Sequence, residues 1–204
     1  MTSENQHNKK EKPPFELTDK GVIALRRVRL RFFSLYAPGE FSGKETYNVT
    51  CEISKEQFDF LNEQMMNAAK EEWGASKAAK LWGSMNKGAS EYVPQNGGES
   101  YLQVRASNNA VGRNGEKRPG PRLYTRYRTE SKIGGADEFY AGCLVNLFLT
   151  PWAYSNASTG VKFNILAVQF ADDGPKISGA TVDEDDLDDL SAELTEDSED
   201  DVPW

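Results

Sequence analysis

Cysteine and histidine are nearly missing from this sequence, with two and one among 204 residues. Cys51, Cys143 and His7 are too few for a zinc site built from Cys and His ligands. His7 stands in a polar N-terminal stretch, where no catalytic triad could use it as a base. No apolar run approaches the ~20 residues of a membrane helix, and residues 1–12 lack the apolar stretch of a secretory signal. The expectation is a reducing compartment, with both cysteines buried as thiols rather than bridged. One further absence is local. Residues 183–204 contain no Lys or Arg against 12 Asp and Glu. The formal net charge of −8 therefore averages two unlike parts, because the other 20 acids face all 24 bases in residues 1–182. The body is mildly basic.

Residues 1–20, with Pro13-Pro14, read as a flexible mixed-charge arm, residues 21–175 as one folded domain and residues 176–204 as a disordered acidic tail. In the first strand Val28, Leu30 and Phe32 share one face, while Arg27, Arg29, Arg31 and Phe33 share the other. Ala37-Pro38-Gly39 predicts a turn before a second strand with Tyr47, Val49, Cys51 and Ile53 on one side. Ser54-Lys55-Glu56-Gln57 has the spacing of a capping box, and the helix it opens carries Phe58, Leu61, Met65 and Ala69 on one face as far as Trp73. Residues 76–82 predict a second short helix after Gly74. Strands resume at Tyr101, where Leu102, Val104 and Ala106 alternate with Tyr101, Gln103 and Arg105, and again at residues 122–128. A last hairpin joins residues 139–154 to 161–170. Five main strands with a helical insertion suit a small Greek-key barrel, an all-β class, better than a sandwich.

The strands carry a binding signal. Residues 101–132 hold eight bases against two acids, the footprint expected for phosphates. Period two places Arg122, Tyr124, Arg126 and Arg128 on one face of the 122–128 segment. A ring offers any base a stacking surface, and flanking guanidiniums can hold the backbone. Arg27, Arg29 and Arg31 make the same argument on the first strand, although long arginines also cover barrel surfaces by packing their stems. In the last hairpin, inward Cys143, Val145, Leu147 and Leu149 leave Asn146, Phe148, Thr150, Trp152 and Tyr154 outward. Those rings suit either bases or the underside of the helical insertion, and Pro151 threatens the alternation. Rings and arginines on strands, with no base-reading helix or zinc finger, favour single strands with little sequence preference.

Two resemblances sharpen this reading. Glu199-Asp200-Asp201-Val202-Pro203-Trp204 resembles the C-terminal peptide of bacterial single-stranded DNA-binding proteins, with Trp in place of the usual Phe. That likeness implies that Asp200, Asp201, Val202, Pro203 and Trp204 dock on replication and recombination proteins. The body differs. Arg105-Ala106-Ser107, Arg118-Pro119-Gly120, Tyr140-Ala141-Gly142-Cys143 and Gly160-Val161-Lys162-Phe163 resemble, in order and spacing, a family of phage proteins now seen as OB-fold single-stranded DNA-binding proteins. The similarity runs from Val28 to Asp173. It implies an OB-fold five-stranded Greek-key barrel, and a place in phage replication, recombination or repair within the cytoplasm of an infected bacterium. Together with the strand faces, it nominates Arg27, Arg29, Arg31, Tyr101, Arg105, Arg118, Arg122, Tyr124, Arg126, Arg128, Phe148, Trp152, Tyr154 and Lys162 as DNA-binding residues.

No cofactor, metal or catalytic residue is expected, and no membrane contact; oligomeric state is left open. The acidic tail should compete with DNA, since 22 residues of coil span roughly 25 Å against a domain radius of gyration of ~15 Å. Its removal should then admit duplex as well. Two rival functions remain at this point. One is a carboxylate–metal nuclease or resolvase-like enzyme, for which Asp137, Glu138, Asp172 and Asp173 are the acids late in the body. The other is an inhibitor whose tail mimics DNA.

Overall fold

The computed structural model describes residues 12–177, apart from 42, 96 and 157. The arm up to residue 11, with His7, and the acidic tail from 178 onward, with Asp200, Asp201, Val202, Pro203 and Trp204, lie outside the described residues. The described chain runs β1 (Phe15–Leu17), β2 (Ile23–Phe41), β3 (Lys44–Glu52), α1 (Lys55–Trp73), α2 (Ala75–Leu81), β4 (Asn86–Lys87), β5 (Ala89–Tyr92), β6 (Tyr101–Asn109), β7 (Arg122–Tyr124), β8 (Leu144–Ser155) and β9 (Thr159–Asp172). Strands β9, β8, β2, β3 and β6 pair in that order, and β6 returns to β9 as a parallel neighbour through Ala106 and Phe163. The ring is closed. It is the five-stranded Greek-key barrel of an OB fold, with the short strands β1, β4, β5 and β7 added at its margins.

Inward alternation fills the barrel. Cys143, Val145, Leu147 and Leu149 of the β8 segment meet Val161, Phe163, Ile165, Val168 and Phe170 of β9, all buried. Pro151 does not disturb the alternation, since Ala153 is buried and Trp152 and Tyr154 point outward. Both cysteines are free and buried, and burial pushes the Cys143 thiol up to about 11 and raises Cys51 as well. α1 starts at the expected capping box. The Ser54 hydroxyl accepts from the Gln57 amide at 3.2 Å, and the Gln57 side chain accepts from the Ser54 amide at 3.0 Å. The Gln57 Nε2 also donates to the carbonyls of Pro14 and Arg26, which ties the helix start to β2 and to the residue before β1. Leu61, Met65 and Ala69 bury the predicted apolar face in the core, with Phe58 at its edge.

Four expectations give way. Residues 15–17, assigned to the arm, form β1 against β2, and the Phe15 ring rests 4.9 Å from that of Phe60. An aromatic flanked by extended Pro13-Pro14 finds an open strand edge and a partner ring, so the chain docks. The first strand does not keep one parity either. Leu30 pairs with Cys51 but Phe32 with Thr50, so Arg31 is an extra residue and the side chains beyond it change faces. Phe32 is 61% exposed instead of buried, while Leu35 enters the core. Ala37-Pro38-Gly39 does not end the strand. It lies in a second irregularity, and the chain reverses at Gly43, whose φ of 72° suits glycine. Finally, residues 122–128 are not one strand. β7 stops at Tyr124, and Thr125 to Thr129 make a tight hairpin turn.

Two glycines from the resemblance motifs have structural reasons. A Cβ on Gly142 (φ 109°) would strike the Pro175 carbonyl, so glycine here lets the chain after β9 lie against residues 140–142. A Cβ on Gly160 would come 2.5 Å from the Asn86 carbonyl of β4, which pairs with β9 at that point.

Candidate nucleic-acid interface

The outer sides of β2, β7, β8 and β9 enclose an open groove of about 1350 Å³. Its cations are Lys12, Arg26, Arg27, Arg126 and Arg128, and among its rings Tyr124 and Phe148 are partly exposed. Five nominated residues thus meet at one place: Arg27, Tyr124, Arg126, Arg128 and Phe148. They come from distant parts of the chain because β7 pairs in parallel with β9, setting Tyr124 opposite Gln169, while Phe148 of β8 pairs with Ala167 of β9. Arg27 reaches the rim through a bulge in β2 between Leu25 and Val28, its amide donating to Asn146 Oδ1 at 3.1 Å.

The groove stands on a rigid frame. Arg126 donates from its amide and its Nε to Asp137, each at 2.7 Å, and from an Nη to Asp173 at 3.3 Å. Its guanidinium lies 5.0 Å from the centre of the buried Phe170 ring. Asp137 and then Asp173 raise the Arg126 pKa above its ordinary value. Arg27 bonds Asp172 at 2.9 Å and holds that carboxyl below its usual range. Among the described residues the three non-glycines with left-handed backbone are Arg27 (φ 55°), Arg128 (φ 66°) and Asp137 (φ 58°). Two line the groove and the third anchors Arg126. Such conformations cost of order 1–2 kcal/mol each and gather where a side chain must be aimed.

The other nominated residues lie elsewhere. Arg29 donates to the Pro175 carbonyl at 3.2 Å and Arg31 bonds Glu52 through its Nε at 2.9 Å, so both are engaged in the fold. The Arg31 guanidinium covers the Tyr101 ring at 4.2 Å, and Tyr101 also packs on Tyr92. Trp152 (46% exposed) and Tyr154 stand together further along β8, with Lys162 of β9 directly across from Trp152 and 4.7 Å above its ring. Partial burial lowers the Lys162 pKa. Arg105 lines a separate cavity of about 620 Å³ with Phe58, Trp82 and Lys87 of the insertion. Arg118 pairs with Glu116 in the loop after β6 at 3.3 Å. Arg122 is exposed on β7, two residues before Tyr124.

Sequence reasoning missed the groove cation Lys12 and four residues more. Arg26 lines the groove, Phe32 and Tyr127 are exposed rings, and Lys87 covers Trp82 at 4.5 Å. Phe32 was hidden by the bulge that reverses its expected face, and Tyr127 by the turn that follows Tyr124. The four late acids are each engaged: Asp137 and Asp173 with Arg126, Asp172 with Arg27, and Glu138 with the Gly134 amide at 2.7 Å. Among the described residues no group of three or more His, Cys, Asp or Glu is placed to hold a metal ion. No helix among them is long and apolar enough to cross a membrane.

The family described as Enterobacter phage Enc34, ssDNA-binding protein, matches residues 21–202. The chain belongs to that family. The single-stranded DNA-binding protein from bacteriophage Enc34 superposes with a TM-score of 0.66 at 22% identity, covering 87% of this chain and 95% of that one. The same phage protein in complex with ssDNA gives a TM-score of 0.64 at 21% identity over 83% of this chain and 96% of that one. Bacteriophage T7 gp2.5, a single-stranded DNA binding protein, gives 0.52 at 11% identity over 89% and 98%. These likenesses establish the shared barrel. No curated protein sequence matches the chain.

Proposed function

We propose that this member of the Enc34 family binds single-stranded DNA in the groove between β2, β7, β8 and β9, with little regard to sequence. The observation that carries the reading is the placing of Tyr124 and Phe148 among Arg27, Arg126 and Arg128 on a locked frame. Rings stack on any base at ~1–3 kcal/mol each, and the guanidiniums meet the phosphates, so affinity does not depend on base edges. Membership of a family named for a phage ssDNA-binding protein supports a role in protecting single strands during phage replication and recombination.

The acidic residues 183–204 compete with DNA for this groove. The end of β9 favours that arrangement, because Asp172 and Asp173 already engage the groove residues Arg27 and Arg126. The chain then continues past Arg29 to Ile177, whose amide bonds the Ala141 carbonyl at 2.8 Å. A tethered anion there has an effective concentration of order millimolar. The last residues, Asp200, Asp201, Val202, Pro203 and Trp204, are left free to dock on replication and recombination proteins once DNA displaces the tail.

The test is a salt titration of fluorescent oligo-dT and duplex binding by the full chain and by a chain ending at residue 182. The expected result is tighter binding of single strand than duplex, with log affinity falling linearly as log salt rises. Truncation should tighten single-strand binding and admit duplex. Absence of oligo-dT binding by both chains at low salt would overturn the reading, and equal affinity of the two chains would overturn the competition.

A further inference from the structure

The 125–129 turn beside the groove has a side chain that the barrel does not explain. Tyr127 is 78% exposed, the most exposed of the large apolar side chains among the described residues. Its neighbours Arg126 and Arg128 both line the groove. The turn is pinned on all sides. The Arg128 amide donates to the Thr125 carbonyl at 3.1 Å, and the Thr125 amide to the Thr129 carbonyl at 2.8 Å. The Thr125 and Thr129 hydroxyls share a hydrogen bond of 2.6 Å, and Arg126 is fixed to Asp137. A three-residue hairpin loop of this kind closes on a left-handed residue, a position that glycine normally fills. Here Arg128 fills it. The loop thus keeps two cations and a ring where the backbone asks for none of them.

The geometry points to Tyr127 as a base-stacking residue outside the barrel, presented by a rigid finger to single-stranded DNA leaving the groove. The inference rests on the groove reading and extends it by one nucleotide subsite. A tyrosine at this exposure contributes little to folding, yet its ring has an open face for a nucleobase. Because the finger is held by hydrogen bonds in the free protein, little ordering entropy opposes stacking. Arg128, adjacent in the chain, is placed for the phosphate next to that base. The ligand chemistry is an unpaired nucleobase of any identity, since a ring face does not read base edges.

Four full-length proteins test it by fluorescence anisotropy on oligo-dT: wild type, Tyr127→Ala, Tyr127→Phe and the groove variant Tyr124→Ala/Phe148→Ala. Tyr127→Ala should bind roughly 5- to 150-fold more weakly with an unchanged salt slope, because a stacking contact and no phosphate contact is lost. Tyr127→Phe should bind like wild type. An oligonucleotide of the same length made of abasic sites should be bound equally by wild type and Tyr127→Ala. Unchanged melting temperature of Tyr127→Ala excludes unfolding as the cause. If Tyr127→Ala binds oligo-dT like wild type while the groove variant fails, the stacking role is overturned and the groove stands. If Tyr127→Phe is as weak as Tyr127→Ala, the hydroxyl and not the ring makes the contact, and the inference is also overturned. If wild type itself does not bind, the groove reading fails first.

Discussion

Two runs of arginine look alike in this sequence and behave differently in the fold. Arg27, Arg29 and Arg31 lie on β2, and each has a partner: Asp172, the Pro175 carbonyl and Glu52. The second run, Arg122, Arg126 and Arg128, straddles the end of β7. There Arg126 alone is clamped, while Arg122 and Arg128 have no ion-pair partner among the described residues. In the first run Arg29 and Arg31 hold the barrel and the chain that follows it, while Arg27 lines the groove already paired with Asp172. The second places free charge beside the rings Tyr124 and Tyr127. Charge spacing finds cations, but only the fold shows which of them are already neutralised.

The largest expected effect tests the structural end of this comparison. Arg31→Ala removes the bond to Glu52 and the guanidinium over Tyr101, both partly shielded from solvent. A pair of this kind plus a cation–π contact contributes about 1–2 kcal/mol. The melting temperature should fall by roughly 3–6 °C for a domain of this size. The salt slope of oligo-dT binding should not change. A lower slope with unchanged melting would place Arg31 among the DNA contacts and dissolve the distinction between the two runs.

Arg128→Gly probes the other end, with the opposite sign for stability. Glycine relieves the left-handed strain at φ 66° and gives back part of it in chain entropy, for a net gain of about 0.5–1 kcal/mol. DNA binding should weaken, with the salt slope reduced by roughly 0.7, the value of one phosphate contact on a single strand. A protein that melts higher and binds worse would show that Arg128 is kept for its side chain against the preference of its backbone. Equal DNA binding would remove it from the interface.

How much of this was legible beforehand depends on local regularity. The β8–β9 hairpin follows strict alternation, and its inward Cys143, Val145, Leu147 and Leu149 could be assigned residue by residue. α1 was legible because the reciprocal Ser54–Gln57 cap and the Leu61, Met65 and Ala69 spacing agree. Phe32 was not, because one extra residue at Arg31 reverses parity without any glycine or proline to announce it. The 125–129 turn was hidden for a related reason: its left-handed position carries arginine in place of the glycine that marks such hairpins. Arg27, Tyr124, Arg126, Arg128 and Phe148 of the groove lining were therefore among the nominated residues, while the groove's geometry was not legible. Arg126 shows the gap most clearly. It was nominated to hold DNA, and its first task is to fix Asp137 and roof Phe170.

Lys162 lies between the two classes and carries the smallest expected effect. It is half-buried, it faces Trp152 across the β8–β9 ladder, and burial alone lowers its pKa from 10.5. A base whose pKa is depressed by folding binds its proton more tightly when unfolded. Its charged form therefore costs stability at neutral pH, and stability rises with pH from the folded pKa toward 10.5. Lys162→Met keeps an unbranched apolar side chain opposite Trp152 and deletes the charge. The variant should melt slightly higher at pH 7 and lose the contribution of this residue to the rise that ends near pH 10.5. Lower melting at pH 7 would mean that the cation–π contact outweighs desolvation. If oligo-dT binding also keeps its salt slope, Lys162 belongs with Arg29 and Arg31; if the slope falls, the Trp152–Tyr154 cluster joins the groove as a second stretch of the same interface.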